Sequence, residues 1–188
     1  MAPGEPFVEP TPVGSTRALA ERTTDLLNAL ADRGTDASTI TTILARHGEI
    51  DPELDEEDVA ALREVAVELR HVLAADTLEG TATRLNTLLA REARPPRLAD
   101  HGGSHPWHLH ADSDDEAPWD EWFAASTGLF LASLVSQRQR LPGGVCAARD
   151  CERVFVDTAH GSGRRYCSRR CATRTRVAAH RRARGRTS

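Results

Sequence analysis

The sequence predicts an α+β protein: a mostly helical N-terminal domain with one small β-hairpin, followed by a C-terminal treble-clef-like finger of knuckle, hairpin and helix. Three observations lead there. Apolar residues recur at helical spacing in four stretches before Pro95 and again after Pro118. Apolar and polar residues alternate in one short run, Trp107–Ala111. All four cysteines, Cys146, Cys151, Cys167 and Cys171, lie in the last 43 of 188 residues.

Residues 1–14, with prolines at 3, 6, 10 and 12, read as a flexible extension. Residues 15–140 read as the helical domain and 141–188 as the finger. Ser15 is the expected N-cap of a first helix to about Asp32, with Leu19, Leu26, Leu27 and Leu30 as its apolar stripe. Ser38 is the expected cap of a short second helix that turns Ile40, Ile43 and Leu44 inward and stops at Gly48. In Asp55–Ala75, four acids crowd the first turn, where carboxylates favour the helix dipole, and Val59, Leu62, Val65, Leu69, Val72 and Leu73 follow at helical spacing. Gly80 reads as a break before a helix over Thr81–Ala93, with Leu85, Leu88 and Leu89 on one face. Arg97–Asp112 reads as a hairpin turned by Gly102-Gly103. Pro118 suits position N1 of a long helix to about Arg140, anchored by Trp119, Trp122, Phe123, Phe130 and Leu134. Pro142-Gly143-Gly144 then breaks the chain.

Charge is divided along the sequence. The chain has no lysine, and its net charge is −4. Residues 1–137 carry 10 Arg against 25 Asp and Glu, a balance of −15, whereas residues 138–188 carry 14 Arg against 3 acids, a balance of +11. A basic tail behind an acidic body points to a nucleic-acid partner. The longest apolar stretch, around Phe123–Val135, is too short to span a bilayer, and no signal peptide is apparent at the N-terminus. These features lead us to expect a soluble protein of the reducing cytoplasm with no membrane partner, where close cysteine pairs serve as metal ligands more readily than as disulfides.

The cysteines form a Cys-x4-Cys…x15…Cys-x3-Cys pattern, two close pairs suited to one tetrahedral Zn2+. Four thiolates leave no open coordination position, so such a zinc holds structure. Val154-Phe155-Val156 is expected to form one strand, with Arg164-Arg165-Tyr166 returning beside it through Gly161-Ser162-Gly163. Ser168 is the expected cap of the helix that carries Cys171. A redox dithiol pair is the alternative, weakened because neither pair is Cys-x-x-Cys. His160 and His180 are expected to be bystanders.

On a helical wheel, Arg169, Arg170, Arg174, Arg176, Arg181 and Arg184 fall on one side of the last helix, and Cys171, Ala172, Thr175, Ala178 and Ala179 on the other. Together with Arg164 and Arg165, this basic side forms the expected DNA contact, since arginine pairs with phosphates and reads guanine edges. A solvated basic tail is the plainer reading. A single finger supplies little affinity, which points to a homodimer.

The residues Cys146-Ala-Ala-Arg-Asp-Cys151-Glu-Arg-Val-Phe155-Val-Asp157-Thr158, the run Gly163-Arg164-Arg165-Tyr166-Cys167-Ser168, and Cys171 with Arg174 resemble the CGNR-type zinc finger. That finger usually follows an N-terminal domain called ABATE, in proteins described as stress-induced transcription regulators of bacteria. Asp25–Leu30 and Leu85–Leu89 resemble two stretches of ABATE. The resemblance implies zinc on the four cysteines, DNA binding, and a helical domain of undefined role. The naming tetrad reads Cys171-Ala172-Thr173-Arg174 here, which keeps the ligand and the arginine but not the Gly-Asn pair.

Other candidates are weaker. His101, His105, His108 and His110 cluster in sequence, and His108 and His110 share a strand face; the expectation is an exposed face opposite Trp107, Leu109 and Ala111 rather than a second metal site. Asp112, Asp114, Asp115 and Glu116 read as a solvated acidic loop without EF-hand spacing. Asp25, Asn28 and Trp122 would flank any effector pocket, although Asn28 suits a hydrogen bond to backbone better. No phosphate-binding glycine loop, nucleophile elbow or paired carboxylates stand out, so an enzyme is not expected. The alternatives to a DNA-binding regulator are a zinc-stabilised protein-interaction module and a small-molecule sensor.

Overall fold

The computed structural model describes residues 15–103, 106–159 and 163–185. The N-terminal extension, His105, His160 and the Gly161-Ser162 part of the expected turn lie outside them. Among the described residues, six helices and four short strands follow in the order α1 (Thr16–Leu30), α2 (Ala37–Arg46), α3 (Glu56–Leu73), α4 (Leu78–Glu92), β1 (Arg97–Ala99), β2 (His108–His110), α5 (Trp119–Arg138), β3 (Gly143–Val145), β4 (Val154–Val156) and α6 (Arg169–Gly185). The fold is mostly helical with two antiparallel two-stranded hairpins, as the sequence predicts. Among the described residues no helix is long and apolar enough to cross a membrane.

Side-chain caps set the helix starts. Ser15 Oγ accepts from Ala18 N, as expected. The cap of α2 is Asp36, not Ser38: Asp36 Oδ1 takes the backbone N–H of Thr39 together with the Ser38 and Thr39 hydroxyls. In α3 the expected acidic turn is a capping box, with Asp55 accepting from Asp58 N and Asp58 accepting from Asp55 N. Gly80 does not break the chain. Thr77 caps α4 by accepting from Gly80 N, which places the glycine within the first turn. Pro118 stands at the N-cap of α5 rather than at N1.

α3 is the central element, packed by α1, α2, α4, α5 and β4. Its Val59, Leu62, Leu69, Val72 and Leu73 join Leu26, Leu27, Ile40, Leu44, Leu85, Leu88, Phe123, Leu131 and Leu134 in one core. Gly128 lets α4 approach α5, since a Cβ there would stand 3.0 Å from Leu89 Cδ2. Trp119 and Trp122 are half-buried at the rim of this core, and Trp119 Nε1 donates to Glu53 O.

The first hairpin is turned the opposite way from the expectation. Leu98, Trp107 and Leu109 face solvent, whereas His110 and Asp112 are buried. The polar face goes inward because it arrives fully paired: Asp112 receives Arg97 Nη1 at 3.0 Å and His110 Nδ1 at 2.9 Å. Burying a carboxylate is tolerated when it is paired in this way. Asp112 is therefore not part of a solvated loop, while Asp114, Asp115 and Glu116 are exposed.

β4 is buried at all three residues, with Val154 and Val156 in the main core. Its strand partner is β3, in register Gly143↔Val156 and Val145↔Val154, and not the chain over 164–166. The expected return strand cannot pair there because α1 occupies the second edge of β4. Asn28 presents an amide to the strand as another strand would: Val154 N donates to Asn28 Oδ1 at 2.9 Å and Asn28 Nδ2 donates to Val154 O at 3.0 Å. Thr24 Oγ1 accepts from Val156 N at 3.2 Å. Gly143 is required opposite, because a Cβ would collide with the Phe155 carbonyl oxygen.

Replacing Asn28 with alanine strands two buried backbone groups and is expected to cost about 1–3 kcal/mol. Asn28→Asp, which keeps the acceptor but loses the donor, is expected to fall between alanine and the natural residue. Urea unfolding at fixed metal loading measures both, and unchanged midpoints would remove Asn28 as the clasp.

Candidate metal centre

The four cysteines converge from three backbone features. Cys146 follows β3, Cys151 closes a knuckle loop whose turn places Asp150 at φ +59°, and Cys167 and Cys171 flank the start of α6. The hairpin is locked at its mouth by Cys146 N donating to Arg153 O. Ser168 Oγ accepts from Cys171 N at 3.2 Å, so the expected cap of α6 forms.

All four sulfurs lie within 4.8 Å of one another, and none is in a disulfide. Cys151, Cys167 and Cys171 are spaced at 3.7–3.8 Å. Sulfurs about 2.3 Å from a tetrahedral zinc stand about 3.8 Å apart, so these thiols already occupy the corners of a zinc polyhedron. With no position left open, the group they fit is a structural ion. The surroundings supply stabilisation for the thiolates. Cys167 N donates to Cys146 Sγ at 3.3 Å, and Arg174 Nη2 lies 3.7 Å from Cys171 Sγ. Burial opposes ionisation of Cys146, yet the backbone N–H groups of Cys167 and Ala148 bring its thiol down to about 7. Burial and the neighbouring sulfurs push Cys167 up to about 12.

The residues around the sulfurs form a small cluster separate from the main core, comprising the cysteines, Ala148 and Tyr166. So little apolar surface cannot hold a fold by itself. The buried Asp157 supplies a second fastening. Its Oδ1 accepts from Ala159 N at 3.0 Å and its Oδ2 from Arg164 N at 3.0 Å, which ties Arg164 to the end of β4. Ala147 N donating to Arg165 O completes the closure.

The arginines divide into two groups. Arg164 stacks on Phe155, 4.9 Å from the ring centroid, and its guanidinium donates to Tyr166 O and Cys167 O. Arg174 donates to Arg149 O in the knuckle as well as facing the Cys171 sulfur. These two brace the finger. Arg165, Arg169, Arg170, Arg176 and Arg181 are exposed, and beyond Cys171 no described residue of α6 is buried. Ala172, Thr175 and Ala178 are half-buried along one side, whereas Ala179 is exposed. Asp157 and Asp112 were not singled out for these roles from sequence; Asn28 makes the expected hydrogen bond to backbone, although the strand that receives it was not foreseen. Asp157 lies in the resemblance run, and its role as a loop staple could be suspected from an acid isolated in so basic a segment.

A cleft of about 840 Å³ lies between α1, α2 and the finger, lined among others by Asp25, Arg46, His47, Val156, Thr158 and Arg164. It includes Asp25 but neither Asn28, which is spent on β4, nor Trp122, which packs under Arg22. Asp25 itself is bridged by Arg46 at 2.8 Å and His47 at 3.0 Å.

Knuckle, hairpin and capped helix around four thiols define a structural zinc finger. Residues 143–184 match the CGNR zinc finger family, which covers the sulfurs, Asp157, Arg164 and Arg174. No curated protein matches the chain.

Cys171→Ser is expected to lose the ion held by sulfur, seen as loss of thiolate-to-cobalt charge transfer in the Co2+-loaded chain, and to remove the helicity of α6 while the body keeps its core, seen by far-ultraviolet circular dichroism. Retention of both would exclude the sulfur-held ion. Arg174→Ala should weaken metal retention against a competing chelator, whereas Arg181→Ala should not. Protons compete with the metal for the thiolates, so affinity is expected to fall as pH is lowered through the neutral range, where Cys167 must already give up a proton to bind, and more steeply below about 7, where Cys146 gains one as well.

Proposed function

We propose that this chain is a bacterial transcription regulator in which the zinc-supported finger binds DNA through the exposed side of α6. The carrying observation is that α6 leaves the metal centre with no described residue buried beyond Cys171 and no acid in its length. Arg169, Arg170, Arg176 and Arg181 are therefore presented for phosphate contacts, with Arg165 beside them, while Arg164 and Arg174 contribute by holding the finger rigid. A helix of this charge releases condensed counterions when it meets a duplex.

The reading extends to an ABATE-type body in a stress-response regulator of the cytoplasm. It is supported by the Asp25–Leu30 run, because that run contains the Asn28 clasp that seats the finger. The protein acts by binding and not by catalysis, and a dimer would supply the affinity that one finger lacks. The cleft shared by the body and Arg164 favours a small-molecule effector as a second reading, in which the ligand acts on the finger's seating. A thermal-shift screen that finds no stabilising compound would remove that addition without touching the first reading.

Duplex binding by the zinc-loaded protein, followed by fluorescence anisotropy across a salt series, tests the proposal. Affinity is expected to fall steeply with salt, and Arg170→Ala or Arg181→Ala should each reduce the log–log slope by about one unit. Absent or salt-insensitive binding would overturn it.

A further inference from the structure

The inward-turned face of the first hairpin assembles a second group of metal-ligating side chains. His108 and His110 alternate on β2 and so project from one face. His101 follows β1 and adopts φ +50°, with Gly102 and Gly103 also at positive φ. A left-handed conformation is uncommon for a non-glycine residue and marks a position held by its surroundings. Its effect here is to fold the His101 ring back over β2, 4.9 Å from the His110 ring and 5.2 Å from that of His108.

The ring nitrogens are sorted. His110 Nδ1 lies 2.9 Å from both oxygens of Asp112, and His108 Nδ1 lies 2.8 Å from the carbonyl of Pro106. His101 Nδ1 faces Asp115 Oδ2 at 3.5 Å. Carboxylates and carbonyls only accept, so Asp112 and Pro106 place hydrogen on the Nδ1 atoms of His110 and His108 and turn their Nε2 lone pairs into the cluster, which the Nε2 of His101 also faces. Those Nε2 atoms face one another, at 3.1 Å between His101 and His110 and 2.9 Å between His108 and His110. Lone pairs at this distance repel unless a cation lies among them. A proton on His110, held as a cation by Asp112, bridges from Nε2 to one neighbour at a time, His108 or His101. One metal ion satisfies all three. Imidazole nitrogens about 2.0–2.1 Å from a tetrahedral ion stand about 3.3–3.4 Å apart, a few tenths of an ångström beyond the spacing here.

The outer contacts agree. A carboxylate behind a metal-bound histidine fixes its tautomer and raises its basicity. Asp112 has that position behind His110, is itself buried, and is held by Arg97 at 3.0 Å. Such construction goes beyond what an exposed histidine face needs.

We propose that His101, His108 and His110 form a second metal site, separate from the four-cysteine centre, that takes one divalent transition-metal ion of the zinc, cobalt or nickel kind through three Nε2 atoms. Three imidazoles leave a coordination position for water or another ligand, unlike the closed sulfur site. The site does not depend on whether the finger binds DNA.

Co2+ titration of the full chain, purified under reducing conditions, tests the assignment. The sulfur site announces itself by intense thiolate-to-cobalt charge transfer. The histidine site is expected to add a second event with d–d absorption alone, bringing the chain to about two ions against about one for the sulfur site alone. The His101→Ala/His108→Ala double variant, which spares the buried His110, should lose the second event and keep the first. A wild-type chain that saturates at about one ion would overturn the proposal, as would a double variant that still takes up the second.

Discussion

Thiols that could belong to a hydrophobic core are instead gathered at one point, and around them almost nothing apolar is buried. Cys146, Cys151, Cys167, Cys171, Ala148 and Tyr166 make up the whole cluster. A structural zinc site supplies an apparent binding free energy of about 10–16 kcal/mol near neutral pH, which is what this half of the finger has in place of a core. The direction of α6 follows from it, because Cys167 precedes the helix and Cys171 lies in its first turn. The position of the Arg164 guanidinium follows as well, since its acceptors are the carbonyls of Tyr166 and Cys167.

The finger nevertheless has two unlike halves. The distal half rests on sulfur and metal. The proximal half, β3 and β4, shares the core of the helical body through Val154 and Val156 and is clasped by Asn28 and Thr24. A body of charge −15 and a tail of charge +11 are thus joined through an uncharged, buried strand. Direct ion pairs across the junction are not needed to hold it. Asp157 is spent within the finger on the N–H groups of Ala159 and Arg164, and Arg70 of α3 reaches across by donating to the Glu152 carbonyl.

Helix positions and the sulfur site were legible because each rests on local periodicity or spacing: Leu26, Leu27 and Leu30 repeat at helical intervals, and the four cysteines declare their own ligand set. Strand pairing was not, because β4 is only three residues long and its choice of β3 over the 164–166 segment depends on α1 from 126 positions earlier in the chain. The histidine hairpin misleads for a different reason. Alternation finds the two faces, but the rule that apolar residues go inward fails when the polar face brings its own partners, as Arg97 and Asp112 do for His110. The cap of α2 lies two residues earlier than Ser38, at Asp36, and α4 starts at Leu78, ahead of the expected break at Gly80, because Thr77 caps it.

α6 has a mechanical consequence. It spans 17 residues, is fastened at its first turn, and runs outward with no described side chain buried beyond Cys171. Helices of about this length are marginal in water without packing. Arg170 and Arg174 stand four apart, where like charges oppose helix formation, and Arg169 and Arg170 sit at the positive end of the dipole. The segment is therefore a cantilever clamped at one end, and its stiffness rises with whatever neutralises its guanidinium groups, so that added salt or a polyanion lengthens the rod.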